Sequence, residues 1–242
     1  MKTSSAKIFL TAEWRYLAMF NYEVPPDLLA PLVPRGTELD SWNGKVYISL
    51  VGFLFQKTRV RGIAIPFHCN FEEVNLRFYV RRRGEEGWRR GVVFIQELVP
   101  RAAIAFIARK VYNENYLALP MSHALEISGD RVRSVAYAWH FQGAENRMKL
   151  VTRGEAQPLV DGSEQEFITE HYWGHAAQRD GSTMEYRVEH PRWRVWEASS
   201  AELHGDVTQL YGKKYSAALT CPPLSAFLAE GSEVKVFAGV KL

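Results

Sequence analysis

The stretch NFEEVNLRFYV, Asn70 to Val80, places an acid, an amide, a guanidinium and a phenol on alternate positions. Because successive side chains of a β-strand point to opposite faces, the polar row would share one face and the apolar residues between them the other. The row consists of Glu73, Asn75, Arg77 and Tyr79. A carboxyl group can act as a general acid or base, and a guanidinium can bind a carboxylate through two parallel hydrogen bonds.

The residues alone leave two interpretations of this face open. Antiparallel sheets often have one wet side, and Glu73 and Arg77 would then be surface charges of little energetic weight. Alternatively the row is the wall of a polar pocket, because Asn and Arg between an acid and an aromatic ring indicate a hydrogen-bonded set. A buried Arg77 would need a carboxylate or several carbonyl groups within reach, since an unpaired buried charge is costly.

Metal and cofactor motifs find no support in the sequence. His171 and His175 are four residues apart, which would suit two ligands on one helix face, but the surrounding YWGHAAQ is typical of a strand. The chain has no P-loop, G-x-G-x-x-G, H-E-x-x-H or G-x-S-x-G motif. We therefore expect no cofactor and no metal. His190 precedes a proline at a break between strands, and either a structural or a pocket role is open to it.

Charge and hydropathy exclude several classes of partner. The 30 Lys and Arg residues nearly balance the 27 Asp and Glu residues, so we expect neither nucleic acid nor an anionic membrane as a partner. The densest basic stretch brackets Gly84 and Gly87, and we expect it on a solvated hairpin tip; it comprises Arg81, Arg82, Arg83, Arg89 and Arg90. No apolar run suits a signal peptide or a membrane span, so we expect a cytoplasmic protein whose homo-oligomeric state is open.

Most of the elements that must position the polar row are strands. We predict a strand from Glu13 to Val24, a short helix after Pro25, and a hairpin at Asn43-Gly44. The polar strand should pair with a strand at about Trp88 to Leu98. A buried helix from about Pro100 to Tyr112 should follow, because its apolar residues recur at helical spacing.

The second half of the chain is also rich in strand patterns. RVRSVAYAWHFQG and RMKLVTRGEA should pair, SEQEFITEHY should be a short helix with a capping box, and RDG at Arg179–Gly181 should be a turn. Strand patterns also occur in STMEYRVEH, WRVWEASSAEL and SEVKVFAGV. Without a linker or repeat, residues 1–242 are predicted to form one domain, β-rich and α+β, with antiparallel strands curled around a core or cavity.

Three segments resemble a known family. They are VPPDLLAPLVPRGTELDSWNGKVYISLVGF, FEEVNLRFYV, and HPRW at His190–Trp193. They resemble the YqjF-like conserved bacterial family of unknown function, whose pattern includes F-x-E-x-N-x-R-x-Y and a late H-x-x-W. That family is similar to the acetoacetate decarboxylase superfamily. The resemblance implies an acetoacetate decarboxylase-like fold, with curled, barrel-like antiparallel sheets around a central pocket and two or three short helices.

The resemblance also implies a set of site residues and one missing group. Glu73 is placed like a pocket glutamate of the decarboxylases, and Arg109 and Tyr112 fit the pattern of their catalytic segment. The lysine that forms the Schiff base in those enzymes, beside a second lysine, falls on Tyr116 of ARKVYNENYLALP, so the nucleophile is missing. Lys110 lies nearby and is more simply explained as a helix-terminal lysine.

Three classes of function follow from these residues. The first is an enzyme acting on a small organic acid or carbonyl compound without a Schiff base, in which Glu73 is the acid or base and Arg77 binds a carboxylate. Its further site residues would be Tyr116 in the catalytic group, and Asn75, Arg109, Tyr112 and His190 around the substrate. The second is a non-catalytic binding protein with the same pocket. The third is a structural or interaction protein whose polar row is a buried, internally satisfied network.

Overall fold

The computed structural model describes residues 7–101 and 115–242. Within these ranges fifteen strands form one strongly curled sheet. The strands are β1 (Ile8–Val24), β2 (Glu38–Leu39), β3 (Val46–Val60), β4 (Ile63–Ala64), β5 (Phe71–Gly84), β6 (Gly87–Val99), β7 (Tyr116–Ala118), β8 (Met121–Ser128), β9 (Arg131–Phe141), β10 (Ala144–Gln157), β11 (Trp173–Ala177), β12 (Thr183–Glu189), β13 (Val195–His204), β14 (Ser225–Phe237) and β15 (Val240–Lys241).

Short helices in the described ranges connect the strands. They are α1 (Pro26–Leu29), which a 3₁₀ turn (Ala30–Leu32) continues, α2 (Glu164–Thr169), α3 (Val207–Tyr211) and α4 (Lys213–Leu219). Helix α2 begins as its sequence predicts, because the Ser163 side chain accepts a hydrogen bond from the Glu166 backbone N–H. None of the described helices is long and apolar enough to cross a membrane.

Seven of the strands close into a barrel. The ring runs β1, β3, β5, β6, β11, β12 and β14, and β14 pairs again with β1. Two of the strand pairings in this ring, which we call seams, are short. Strand β11 meets β6 in parallel through Trp173↔Gly91 and Gly174↔Val92, and β12 meets β14 through Val188↔Val236 and one further pair. The predicted barrel-like, antiparallel-rich fold is therefore confirmed.

A second layer packs on the outside of this barrel. Strands β13, β10, β9 and β8 extend the sheet beyond β14 and fold back over β1, β3 and β5. Gly52 on β3 lies where the layers come closest, because a Cβ there would overlap Tyr137 of β9 and Met148 of β10. The apolar face of β5 points into this interlayer core, which includes Val74, Leu76, Phe78 and Val80. The barrel interior holds a separate aromatic-rich cluster.

Strand β14 pairs with two different strands along one of its edges. Its first half pairs with β13 through Phe227–Ala229, and its second half pairs with β12 at Lys235 and Val236. Gly231 lies between the two halves with a φ of 80°, in a conformation that favours glycine. A Cβ at this position would overlap the carbonyl oxygen of Trp14 on β1. Only glycine therefore fits where β14 passes from one layer to the other.

The structure bears out most of the elements predicted from sequence. The Asn43-Gly44 turn, the β5–β6 hairpin, the β9–β10 pair and the turn at Arg179–Gly181 are confirmed. The first strand is longer than predicted and begins at Ile8. Helices α3 and α4 were not predicted, because segments of five and seven residues are too short to show a helical period. The predicted helix from Pro100 to Tyr112 falls mainly in 102–114, outside the described residues.

The expectation of a solvated basic hairpin tip is correct for Arg81 and Arg83 and wrong for Arg82, Arg89 and Arg90. Arg82 and Arg89 both bind the carboxylate of Glu185, whose side chain is 3% exposed. Arg90 Nε donates to Asp40 Oδ2 at 2.7 Å, and the Asp40 side chain is 4% exposed. These arginines have buried acidic partners that are distant in sequence, which hairpin patterning alone does not reveal. Arg81 and Arg83 do lie at the surface, over the exposed ring of Trp88.

We predict that Gly231→Ala destabilises the protein strongly, by about 3 kcal/mol or more, because the new methyl group must displace backbone of β1. Gly36→Ala is the matched control, since Gly36 has the same φ of 80° and no atom within 4 Å of an added Cβ. It should cost only the left-handed backbone penalty of about 1–2 kcal/mol. Urea unfolding of the two variants measures the difference, and equal losses would contradict the steric role of Gly231.

Candidate functional site

A cavity of about 210 Å³ occupies the interior of the barrel. Each of the seven ring strands contributes at least one side chain or glycine to its wall, so the cavity is enclosed by the barrel itself. The apolar part of the wall consists of Phe9, Leu10, Trp14, Leu17, Phe53, Phe55, Val60, Ile65, Phe71, Val92, Phe94, Trp173, Gly174, Tyr186, Val188 and Val236. The polar part consists of Thr58, His68, Glu73, Asn75, Arg77, Glu97, Tyr116 and His171. Such a wall, mostly apolar with few polar groups, is typical of small-molecule sites.

Three of the four residues of the polar row, Glu73, Asn75 and Arg77, line this cavity and do not face bulk water. Glu73 is 3% exposed and Asn75 is 2% exposed, and Asn75 Nδ2 donates to Glu73 Oε1 at 3.0 Å. Strand alternation therefore predicted the correct face, and the burial of these two residues is confirmed. Their roles toward a substrate stay predictions.

Arg77 has fewer partners than its burial demands. It is half-buried in the cavity wall, and its Nη2 donates at 3.5 Å to the carbonyl oxygen of Ile168, near the end of α2. Its carbon Cζ lies 5.7 Å from the centre of the Tyr79 ring, and its Nε has no hydrogen-bond partner. Within the described ranges Arg77 forms no ion pair with a carboxylate, so the expectation of a carboxylate or several carbonyls is not met. A guanidinium offers five N–H donors, and most of these are left for other acceptors.

Glu97 joins the site through an irregularity in β6. Ile95 is the extra residue of a β-bulge, because Leu76 pairs with Gln96 while Arg77 pairs with Phe94. Strict alternation from Phe94 would have turned Gln96 toward the cavity. The bulge instead places Glu97 in the wall, where it is 1% exposed. Alternation of residue types therefore did not predict this acid as part of the site.

Tyr116 lies beside Glu97. It begins β7, which pairs in parallel with β6 through Glu97↔Tyr116. The Tyr116 side chain is half-buried and lines the cavity. The predicted catalytic residues Glu73 and Tyr116 therefore share one wall with Asn75 and Arg77.

His171 is a second residue that the sequence did not reveal as part of the cavity. Its Nε2 lies 3.3 Å from Asp40 Oδ2, and its ring packs 4.6 Å from that of Tyr79. Burial lowers the pKa of His171 to about 4, although the hydrogen bond with Asp40 opposes the shift and the charge of Arg90 adds to it. Burial alone would raise the pKa of Asp40, but hydrogen bonds with His171 and Arg90 outweigh it and hold that pKa at about 2. The pair is a neutral imidazole beside a carboxylate.

His175 belongs to a different cluster, so the two histidines do not form a metal site. Its Nε2 lies 3.1 Å from Glu185 Oε2, and Arg82 and Arg89 contact the same carboxylate. Hydrogen bonds from His175 and the charges of Arg89 and Arg82 lower the pKa of Glu185 against the effect of burial, which is the largest single influence. Among the described residues, no group of three or more His, Cys, Asp or Glu side chains is arranged to hold a metal ion.

Of the remaining predicted binding residues, one lies near the cavity and two cannot be placed. The His190 ring stacks on Trp193 at 4.0 Å and contacts Tyr172, and His190 is absent from the described cavity wall. Burial lowers the pKa of His190 to about 4, and the charge of Arg77 contributes to the shift. Arg109 and Tyr112 lie outside the described residues.

The fold is acetoacetate decarboxylase-like. The chain superposes on the enduracididine biosynthesis enzyme MppR complexed with pyruvate with a TM-score of 0.69 and 13% identity, covering 99% of this chain and 93% of that one. An acetoacetate decarboxylase from Legionella pneumophila aligns with a TM-score of 0.64 and 14% identity, covering 98% and 88% of the two chains. At these identities the similarity establishes the fold alone.

The chain belongs to the family DUF2071, described as an uncharacterized conserved protein, whose model matches residues 11–233. The uncharacterized protein YqjF of Bacillus subtilis is 36% identical over 75 residues. That match spans 31% of this chain and 31% of YqjF. The resemblance stated from the sequence motifs is therefore confirmed.

We predict that His171 makes the free energy of unfolding depend on pH below neutrality. The unfolded chain takes up a proton at the ordinary histidine pKa of 6.5, whereas the folded protein does so only near 4. Because the unfolded state then binds more protons, the free energy of unfolding should fall as the pH drops from 7 to 4, by up to about 3 kcal/mol from this residue. His171→Gln, which keeps a donor for Asp40, should remove most of that fall in urea titrations at the two pH values.

His204→Gln is the control for this measurement, because the His204 side chain is 70% exposed. It should leave the pH dependence unchanged. If His171→Gln behaved like His204→Gln, the buried neutral state of His171 would be refuted.

Proposed function

We propose that the protein binds a small organic acid or carbonyl compound in the barrel cavity, with Arg77 as the carboxylate anchor. The observation that carries the proposal is the guanidinium of Arg77, which lines the cavity and has one long hydrogen bond to a backbone carbonyl and no ion pair among the described residues. A carboxylate ligand would supply the missing acceptor in bidentate geometry. The apolar wall strengthens that interaction, because charges attract more strongly where water is excluded.

In the enzymatic form of this proposal, Glu73 is the general acid or base. Its carboxylate accepts a hydrogen bond from Asn75, which lies two residues before Arg77 on the same strand. A substrate anchored on Arg77 would extend past Asn75 toward Glu73, and Tyr116 would offer a phenol from the neighbouring wall. MppR, which has been solved with pyruvate, supports a small oxo acid as the ligand class to test first.

The proposed chemistry does not use a Schiff base. The described wall of the cavity contains no lysine, and Tyr116 stands at the position where the resemblance places the nucleophile. A phenol cannot form an imine with a carbonyl compound. The second candidate function is that of a non-catalytic binding protein. The apolar enclosure and the anchor Arg77 support this function as well as they support an enzyme.

We predict that calorimetry detects binding of small carboxylates such as pyruvate and acetoacetate, and that Arg77→Gln weakens it roughly tenfold to hundredfold. That range follows from about 1.5–3 kcal/mol for hydrogen bonds to a charged group. Arg81→Gln is the matched control on the same strand, because Arg81 pairs with Glu38 at the surface. Equal affinities for the two variants would remove Arg77 as the anchor.

Turnover separates the two candidate functions. A substrate whose conversion is abolished by Glu73→Gln, with binding retained, identifies an enzyme. Binding of the same acids without conversion, by both the unmodified protein and Glu73→Gln, identifies a binding protein.

We also predict that borohydride reduction in the presence of acetoacetate leaves the mass of the protein unchanged. Formation of a stable adduct requires a lysine imine, and Tyr116 cannot provide one. Intact-mass spectrometry is the measurement, and an adduct mapped to Lys110 would show that a displaced amine performs this chemistry.

A further inference from the structure

The cavity has a polar end and an apolar end, and its two ends differ in how they are closed. We propose that its ligand is a monocarboxylic acid with an apolar chain or ring, bound with the carboxylate at Arg77 and the apolar part extending toward the 61–69 hairpin loop. This inference rests on the proposed function, because it assumes that Arg77 anchors a carboxylate.

The order of residues along β5 sets the direction. Arg77, Asn75 and Glu73 follow one another toward Phe71, which begins the strand. Phe71 stacks on Phe55 of β3, with ring centres 4.7 Å apart. Farther along, the wall continues with Trp14 and Leu10 of β1 and Val60 of β3, which pair in register with their neighbours. The charged side chains of β5 therefore lie toward the Arg77 end, and the wall beyond Glu73 is mostly apolar.

Helix α2 closes the polar end. Phe167 and Ile168 are buried in the same cluster as Tyr79, and the Phe167 ring contacts that of Tyr79 at 5.4 Å. The carbonyl of Ile168 is the group that reaches Arg77. A ligand carboxylate at Arg77 would thus lie at the bottom of the cavity.

The opposite end approaches the surface at the 61–69 loop. Ile65 lines the cavity and is 36% exposed, and His68 of the same loop also lines it. Ile63 and Phe67 on this loop are 69% and 88% exposed. An apolar ligand segment leaving the barrel here would pass the apolar side chain of Ile65.

The length of the cavity wall favours a ligand that is longer than a short-chain acid. Arg77 and Phe71 are six residues apart on one extended strand, which is roughly 20 Å by backbone rise. Thr58 and His68 are the polar members of the wall beyond Glu73, and no arginine or lysine lies there among the described wall residues. A second carboxylate would therefore be buried without a cation, which is unfavourable because burial removes its hydration. A monocarboxylate with an apolar body avoids that cost.

The first test is a series of straight-chain acids: acetate, butyrate, hexanoate and octanoate. Each methylene that enters an apolar wall contributes about 0.8 kcal/mol, which tightens binding roughly fourfold. We expect Kd from calorimetry to fall in this way along the series, and 3-phenylpropionate to bind more tightly than butyrate. Adipate, with a carboxylate at each end, should bind more weakly than hexanoate.

The second test uses a matched pair of loop variants. Ile65→Asp places a charge beside the apolar segment of the ligand and should weaken octanoate binding about tenfold, equivalent to the loss of about two methylene contacts. Acetate binding should not change. Ile63→Asp is the control, because Ile63 is in the same exposed loop and is not part of the described cavity wall. It should affect neither acid.

The outcomes distinguish this inference from the proposed function. If all acids bind with similar Kd and Arg77→Gln weakens them equally, the anchor is correct and the apolar ligand is wrong. If chain length tightens binding but Arg77→Gln has no effect, the cavity holds an apolar group and the carboxylate lies elsewhere. Absence of binding by every member of the series refutes both proposals.

Discussion

Closure of the barrel is the constraint on which the cavity depends. Two of the ring's seams, β6–β11 and β12–β14, are each formed by two residue pairs, whereas the central strands pair over most of their length. An open sheet of these strands would expose the aromatic interior to water and leave Arg77 on a wet face. The polar row faces an enclosed cavity because these short strand pairings keep the barrel closed.

The buried acid clusters reinforce one of these short seams, between β6 and β11. Glu185 on β12 binds Arg82 on β5 and Arg89 on β6, and the Arg89 guanidinium lies 4.3 Å over the Trp173 ring of β11. Asp40 joins Arg90 of β6 to His171, which lies two residues before the start of β11. Each cluster therefore ties the β5–β6 hairpin across the gap to the β11–β12 hairpin. Removing one partner would leave a buried charge without compensation, which costs more than the pair itself contributes.

Short-range patterns in the sequence predict much of the fold and part of the site. Alternation placed Glu73 and Asn75 on the correct face, and turn residues located the hairpins. The acid at Glu97 was not predictable, because a bulge changes the phase of β6 and leaves no strong signal in residue types. The link between Asp40 and His171 joins residues 131 positions apart. Such contacts arise from the closure of the barrel, and short-range patterns in a single sequence carry no record of them.

The bulge at Ile95 has an evolutionary consequence. Phe94 and Glu97, on either side of it, both line the cavity, so deleting the extra residue would leave Phe94, one outward residue and Glu97 in strict alternation. A single-codon deletion could thus straighten β6 while the carboxylate of Glu97 stays in the wall. Descendants of this scaffold can therefore gain or lose the bulge, and with it the local twist of β6, without changing the charge of the binding chamber.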